Sequence, residues 1–179
     1  MPNAPPAVKH DEVVLQPYAA EHDERTVAWL NDPALQRSFG LDRQVTLAGH
    51  RAWRAAQEDL VLWAITYGGR HVGNCSLRWN ARHASAYFQI YLGEPAVRGR
   101  GLGKAAIMAA LDYAFGALKA HRVWLHVYPH NAVALAIYTA LGFVEEGLER
   151  DALLLEGSYQ SQLRMSLLDD EWKMQGTTW

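Results

Sequence analysis

Only Cys75 among 179 residues carries a thiol. A single cysteine excludes an internal disulfide, so nothing ties the chain to an oxidising compartment, and a cytoplasmic location is expected. Cys75 sits in an apolar run and reads as a small buried residue, not a nucleophile. Positive charge is in short supply: 17 Lys and Arg face 19 Asp and Glu, a formal net charge of -2. Without a basic excess, neither nucleic acid nor a membrane surface is expected as a partner. Long hydrophobic runs are missing, none reaching about 18 apolar residues, and the start of the chain has no signal-peptide pattern. Repeats and low-complexity segments are absent, and no metal is expected.

What is there fits one ordinary globular domain, 50% hydrophobic and 20% charged. Its most informative stretch is Glu94–Lys104, E-P-A-V-R-G-R-G-L-G-K. Before it, Ser85–Gly93 is rich in aromatic and branched residues. After it, Ala105–Phe115 has no Gly, no Pro and five Ala. A strand should end, a glycine turn follow and a helix begin. Gly99, Gly101 and Gly103 remove side chains where backbone N–H groups can approach an anion. The unpaired N–H groups and positive dipole end of the new helix face the same point. With Arg98, Arg100 and Lys104 alongside, the turn is suited to a phosphate. The competing reading is a glycine turn that binds nothing.

Two phosphate motifs fail. A P-loop would need glycine where Arg98 stands and Ser or Thr where Ala105 stands. A dinucleotide fingerprint forced onto Gly101, Gly103 and Ala106 lacks its ribose-binding acid, because no Asp or Glu occurs between Asp112 and Glu145. The pattern R/Q-x-x-G-x-G/A is met by Arg98, Gly101 and Gly103.

R-G-R-G-L-G-K-A-A resembles the pyrophosphate loop of the GNAT superfamily of acetyl-CoA-dependent N-acetyltransferases. About 30 residues on, Val127–Phe143 (V-Y-P-H-N-A-V-A-L-A-I-Y-T-A-L-G-F) resembles that family's N-x-x-A-x-x-x-Y-x-x-x-G-F signature. The resemblance implies a single-domain α/β (α+β) fold over residues 13–172, between tails at 1–12 and 173–179. It implies a mixed, mostly antiparallel sheet of about seven strands flanked by helices, with a V-shaped splay after the fourth strand. Acetyl-CoA is the cofactor implied, held by Arg98, Gly99, Arg100, Gly101, Leu102, Gly103 and Lys104. The backbone at Tyr91, Leu92 and Gly93 would serve the thioester carbonyl, Asn131 the pantetheine arm, and the Tyr138 hydroxyl the leaving sulfur. Asn131 and Tyr138 are seven residues apart, two helical turns, and so share a face.

The patterns predict strands at Val13–Tyr18, Val61–Tyr67, His71–Leu77, Ser85–Gly93, Arg122–Val127, Phe143–Glu149 and Ser158–Leu167. They predict helices at Glu21–Asn31, Leu47–Asp59, Gly101–Ala120 and Ala132–Leu141. Asn31-Asp32-Pro33 reads as a break, and Ala34–Thr46 gives no clear assignment.

The expected reaction moves an acetyl group to a primary amine in a ternary complex. Glu94 is the expected base, with His126 and His83 as alternatives. His50, Trp53 and Arg54 share a face of the Leu47–Asp59 helix, which then covers the acceptor as a lid. His50, Trp53 and Tyr87 are the expected acceptor-binding residues. Tyr87 stands where the family's polyamine branch has a carboxylate. W-L-N-D-P, T-L-A-G-H, F-Q-I-Y and L-D-Y-A-F are similar to segments of amino-sugar-nucleotide acetyltransferases. The acceptor expected is therefore a small-molecule amine such as an amino-sugar nucleotide. The alternatives are a ribosomal-protein amino terminus, a polyamine, or a non-catalytic acetyl-CoA-binding module. A homodimer is compatible with each.

Overall fold

The computed structural model describes residues 5–41 and 44–175. Residues 1–4 and 176–179 of the expected tails, and 42–43 of the unassigned stretch, lie outside it. The described chain forms one eight-stranded sheet: β1 (Val8–His10), β2 (Val13–Pro17), β3 (Leu60–Tyr67), β4 (Arg70–Asn80), β5 (Ser85–Leu92), β6 (Arg122–Val127), β7 (Val144–Leu155) and β8 (Ser158–Leu168). The spatial order is β1-β2-β3-β4-β5-β6-β8-β7. Every neighbouring pair is antiparallel except β5 with β6. The helices are α1 (Asp23–Leu30), α2 (Pro33–Phe39), α3 (Leu47–Ala55), α4 (Leu102–Asp112), α5 (Ala132–Ala140) and α6 (Asp169–Gln175).

Several boundaries differ from the sequence expectation. The eighth strand is β1, which lies inside the expected tail. Val8 pairs with Leu15 and packs on the core, and the Pro6 carbonyl accepts a hydrogen bond from Trp63 Nε1 at 3.1 Å. The break at Asn31-Asp32-Pro33 is the start of α2. The Asp32 carboxylate accepts from the Ala34 and Leu35 N–H groups, proline occupies the first turn, and Gly40 ends the helix in the left-handed region. α3 stops at Ala55, short of Asp59, because β4 takes the Asp59 carbonyl through the Trp79 N–H at 2.8 Å. The long helix expected to reach Ala120 is α4 followed by one π turn, Tyr113–Ala117. α6 was not expected.

The interior follows from patterning. Trp63, Ala64 and Ile65 in β3 are fully buried because this central strand is covered on both faces. α4 is apolar almost all round, and its alanines let it lie close to the sheet. Right-handed crossovers from β5 to β6 and from β6 to β7 put α4 and α5 on one face. α1, α2 and α3 cover the other.

One feature of the sheet positions everything else. β5 and β6 pair over only three rows: Ser85 with Arg122, Ala86 with Val123 and Tyr87 with Trp124. Beyond these β5 runs to Leu92 and β6 to Val127 without pairing, so the sheet opens. The unpaired edges expose backbone N–H and C=O groups that need partners.

Gly73 holds the β5 side of that opening in place. It follows a register shift between Ile65 and Thr66. A Cβ there would lie 2.2 Å from the Tyr91 carbonyl oxygen and 3.0 Å from Leu92 Cα. Backbone cannot yield as a flexible side chain does, so Gly73→Ala should cost about 1–3 kcal/mol or more. We expect a lower urea midpoint together with weaker CoA binding. An unchanged midpoint would show that this contact does not constrain β5.

Candidate active site

The glycine turn forms as its sequence requires. β5 ends at Leu92, Pro95–Val97 makes one tight turn, and Gly99 and Gly101 adopt φ of +73° and +79°. Gly101 is the N-terminal cap of α4 and has no side chain to satisfy the helix's first N–H groups. A Cβ at Gly99 or Gly101 would point into open space, whereas one at Gly103 would meet only Leu92 Cδ1 at 3.9 Å. The turn is thus a cradle clear of side chains and lined by backbone donors, and it fits a diphosphate. Arg98 and Arg100 frame it. Arg98 donates to the Leu92 carbonyl at 3.1 Å, and Arg100 donates to the Tyr67 hydroxyl at 3.1 Å while its guanidinium lies over the Tyr67 ring. The Leu102 side chain is buried in the core, so only its backbone faces the cradle. Lys104 lies in the first turn of α4.

Across the opening stands α5. Asn131 caps it, its Oδ1 accepting the Ala134 N–H at 3.2 Å. Asn131 also lines a cavity of about 560 Å³ with Arg37, Tyr128, His130 and Gln160. Tyr138 is buried, its ring 5.5 Å from Phe143. Burial pushes its hydroxyl well above the usual phenol range, and the neighbouring Tyr87 hydroxyl pushes in the same direction. Among the described residues the Tyr138 hydroxyl makes no hydrogen bond.

The other face of the sheet holds a second cavity, of about 600 Å³. Tyr18, His50 and Trp53 wall one side; Ser76, Gln89 and Tyr91 wall the other; Phe39 and Thr46 close it. His50 and Trp53 therefore come together as expected, stacked at 5.7 Å. The Tyr18 hydroxyl meets His50 Nε2 at 3.0 Å. Burial pushes His50 below the ordinary imidazole value; Asp23 opposes the shift and Arg54 adds to it. Arg54 leaves this wall. It turns to the fully buried Asp23 at 3.5 Å, beside Arg51 at 2.9 Å. The Tyr91 side chain also belongs to this cavity. Its hydroxyl accepts from Asn74 Nδ2 at 2.6 Å, and burial pushes it up to about 12. For a ligand in the opening, Tyr91 has its backbone to offer.

Glu94 does not join this arrangement. Its carboxylate pairs with Arg25 at 3.4 Å and lines neither cavity, and among the described residues no contact links it to Tyr138. Gly93 beside it is covered by Trp29, whose ring would lie 2.0 Å from a Cβ there. His83 is exposed on the β4–β5 turn. Tyr87 lies on the floor of the opening, its ring 4.5 Å from Trp124 and 5.7 Å from His126. His126 Nε2 is 3.1 Å from Glu149 Oε2, out of line for a hydrogen bond. Cys75 is fully buried, which raises its thiol far above reactive values. Among the described residues no group of three or more His, Cys, Asp or Glu gathers to hold a metal ion, and no helix is long and apolar enough to cross a membrane.

The phosphate cradle stands at the end of β5, beside a sheet that opens after three rows, an arrangement suited to a long phosphorylated ligand. The model of the acetyltransferase (GNAT) domain matches residues 12–144, and the chain belongs to that family, whose members use acetyl-CoA. The chain is 39% identical over 93 residues to a spermidine N(1)-acetyltransferase of Vibrio cholerae, covering 52% of this chain and 53% of that one. It is 31% identical over 75 residues to the ribosomal protein uS5 alanine N-acetyltransferase of Escherichia coli, covering 42% and 39%. The chain spans about half the length of the curated spermidine acetyltransferases it matches. Among solved structures, the Vibrio cholerae spermidine N-acetyltransferase in complex with CoA and spermine superimposes with a TM-score of 0.85 at 24% identity, over 90% of this chain and 98% of that one.

Proposed function

We propose that the protein is an acetyl-CoA-dependent N-acetyltransferase acting in the cytoplasm on a primary amine that attacks directly in a ternary complex. The observation that carries this reading is the phosphate cradle at the end of β5, beside the opening between β5 and β6. Acetyl-CoA, when bound, supplies an acetyl group activated as a thioester. Gly99, Gly101 and Gly103 clear the backbone donors that hold its diphosphate. The free edge of β5 near Tyr91–Gly93 offers N–H groups to a carbonyl oxygen gaining charge. Tyr138 keeps its proton through the neutral range, because burial disfavours the phenolate. It is therefore a donor, suited to a departing thiolate. A non-catalytic acetyl-CoA-binding module would have no use for that hydroxyl.

The acceptor reading rests on the cavity walled by His50, Trp53, Gln89 and Tyr91. Among the described residues lining it there is no Asp or Glu. A polyamine carries several positive charges, and burying them without carboxylates is costly. Aromatic walls with amide and hydroxyl groups suit a sugar ring better. We therefore propose a small-molecule amine, with an amino-sugar nucleotide ahead of spermidine. The activities of the relatives favour a second reading, spermidine or a ribosomal-protein amino terminus.

The test compares kcat/KM for spermidine, an Ala-initiated peptide and a 4-amino-sugar nucleotide. We expect the sugar nucleotide to lead by more than about tenfold, roughly 1.4 kcal/mol. A tenfold lead for either of the others replaces the acceptor and keeps the transferase. CoA binding without turnover of any amine would favour the binding module.

A further inference from the structure

The geometry points to His126, oriented by Glu149, as the group that removes the proton from the acceptor amine. The assignment rests on the transferase reading above.

Trp124 is the last residue of β6 paired with β5. His126 lies two residues further on, so it points to the same face as Trp124, at the first level where the strands have parted. On the β5 side the corresponding position is Gln89, which lines the acceptor cavity. His126 itself lines neither cavity, but the register sets it level with Gln89, on the same face and just beyond the last paired row. Tyr138 belongs to the opposite face, where it packs in the core against Phe143, and Tyr87 adds to the upward push on its hydroxyl. The Tyr87 ring in turn lies 5.7 Å from the His126 ring.

The surroundings of His126 are those of a proton acceptor. Its Nε2 is buried 3.1 Å from Glu149 Oε2, so the carboxylate orients that nitrogen and Nδ1 is the one left to take a proton. The other Glu149 oxygen is held by Arg164, the residue opposite His126 on β8, whose guanidinium lies over the Trp124 ring. The titratable or charged groups facing His126 are Tyr87 from β5, Glu149 from β7 and Arg164 from β8. A carboxylate fixed beside one ring nitrogen holds the ring in one orientation and sets which nitrogen is left to accept.

The other candidates are engaged elsewhere. Glu94 is paired with Arg25, His83 is on an exposed turn, and His50 is bonded to Tyr18 away from the opening.

The proton count is consistent. The acceptor arrives as an ammonium group and leaves as an amide, so its nitrogen gives up two protons. The new C–N bond forms as the C–S bond breaks. Tyr138 gives its proton to the CoA sulfur, and one of the two protons released by the nitrogen restores the Tyr138 hydroxyl. The other passes to His126 and from there to solvent.

The test uses His126→Gln and Glu149→Gln in the full chain. We expect His126→Gln to lower kcat by roughly 10²–10⁴-fold with the acetyl-CoA KM unchanged. Glu149→Gln, which leaves the imidazole in place, should lower kcat by less, again with the acetyl-CoA KM unchanged, and Glu149→Asp should recover part of that loss. A His126→Gln enzyme with a wild-type single-turnover rate would overturn the assignment alone. So would a Glu149→Gln enzyme whose kcat equals that of the wild type. Absence of turnover by the wild-type protein with every amine would overturn the transferase reading, and this assignment with it.

Discussion

Gly101→Val should leave the circular dichroism native and remove measurable CoA binding. Two effects act together, and they differ in size. The backbone at Gly101 has φ of +79°, which a β-branched residue adopts at a cost of about 1–2 kcal/mol. For a chain of this size that cost is worth roughly 2–8 °C in Tm, against a total stability of about 5–15 kcal/mol, so the fold survives. The second effect falls on the ligand. A Cβ at Gly101 meets no protein atom within 4 Å, so the valine side chain occupies the cradle itself. The helix's first N–H groups then cannot reach a diphosphate, and we expect CoA affinity to fall at least about 100-fold, or roughly 2.7 kcal/mol. Gly157→Val provides the control. Gly157 has φ of +77° and equally open space, but sits at the tip of the β7–β8 hairpin. It should show a similar Tm loss with CoA binding retained. Calorimetric titration of both variants decides the matter. Native dichroism with unchanged CoA affinity in Gly101→Val would mean that the turn is not the phosphate site.

The features legible in the sequence are those encoded locally. Gly99 and Gly101 had to be glycine for their positive φ, and an alanine-rich helix had to follow. The Asp32-Pro33 pair was equally local, and its signal was present; it marks a helix start as well as a break, and Asp32 makes both capping bonds. β1 was hidden because three residues carry too little periodicity, and only pairing with β2 makes Val8–His10 a strand. The opening of the sheet was not encoded by spacing. It depends on β5 and β6 separating after Tyr87 and Trp124, and the resemblance supplied it.

The acid–base groups divide in the same way. Tyr138 sat inside a motif and could be named. Glu94, His126 and His83 could be offered together as bases but not ranked by any local pattern; tertiary structure pairs Glu94 with Arg25 from α1. The surroundings of His126 come from β5, β7 and β8, elements far apart in sequence, and no local pattern announces a ring nitrogen set against a carboxylate. The acceptor walls are similar: His50 and Trp53 were legible from helical spacing, whereas Tyr18, Gln89 and the Tyr91 hydroxyl were brought beside them by the sheet.

Tyr138→Phe isolates one atom at the centre of this arrangement. The ring packs against Phe143 in a buried site, and phenylalanine fills the same volume. Because the hydroxyl makes no hydrogen bond among the described residues, removing it strands no buried partner, and stability should change little. In the proposed reaction the hydroxyl, held protonated by burial, gives a proton or hydrogen bond to sulfur as charge develops there. Such an interaction is absent from the ground state, and its loss lowers kcat while leaving the acetyl-CoA KM nearly unchanged. We expect a fall in kcat of roughly 10²–10³-fold. The phenol titrates far above neutrality, so the difference between the two enzymes should hold from acidic to mildly alkaline pH. Single-turnover measurements make the comparison independent of product release. An equal single-turnover rate in the two enzymes would show that sulfur leaves without help from Tyr138.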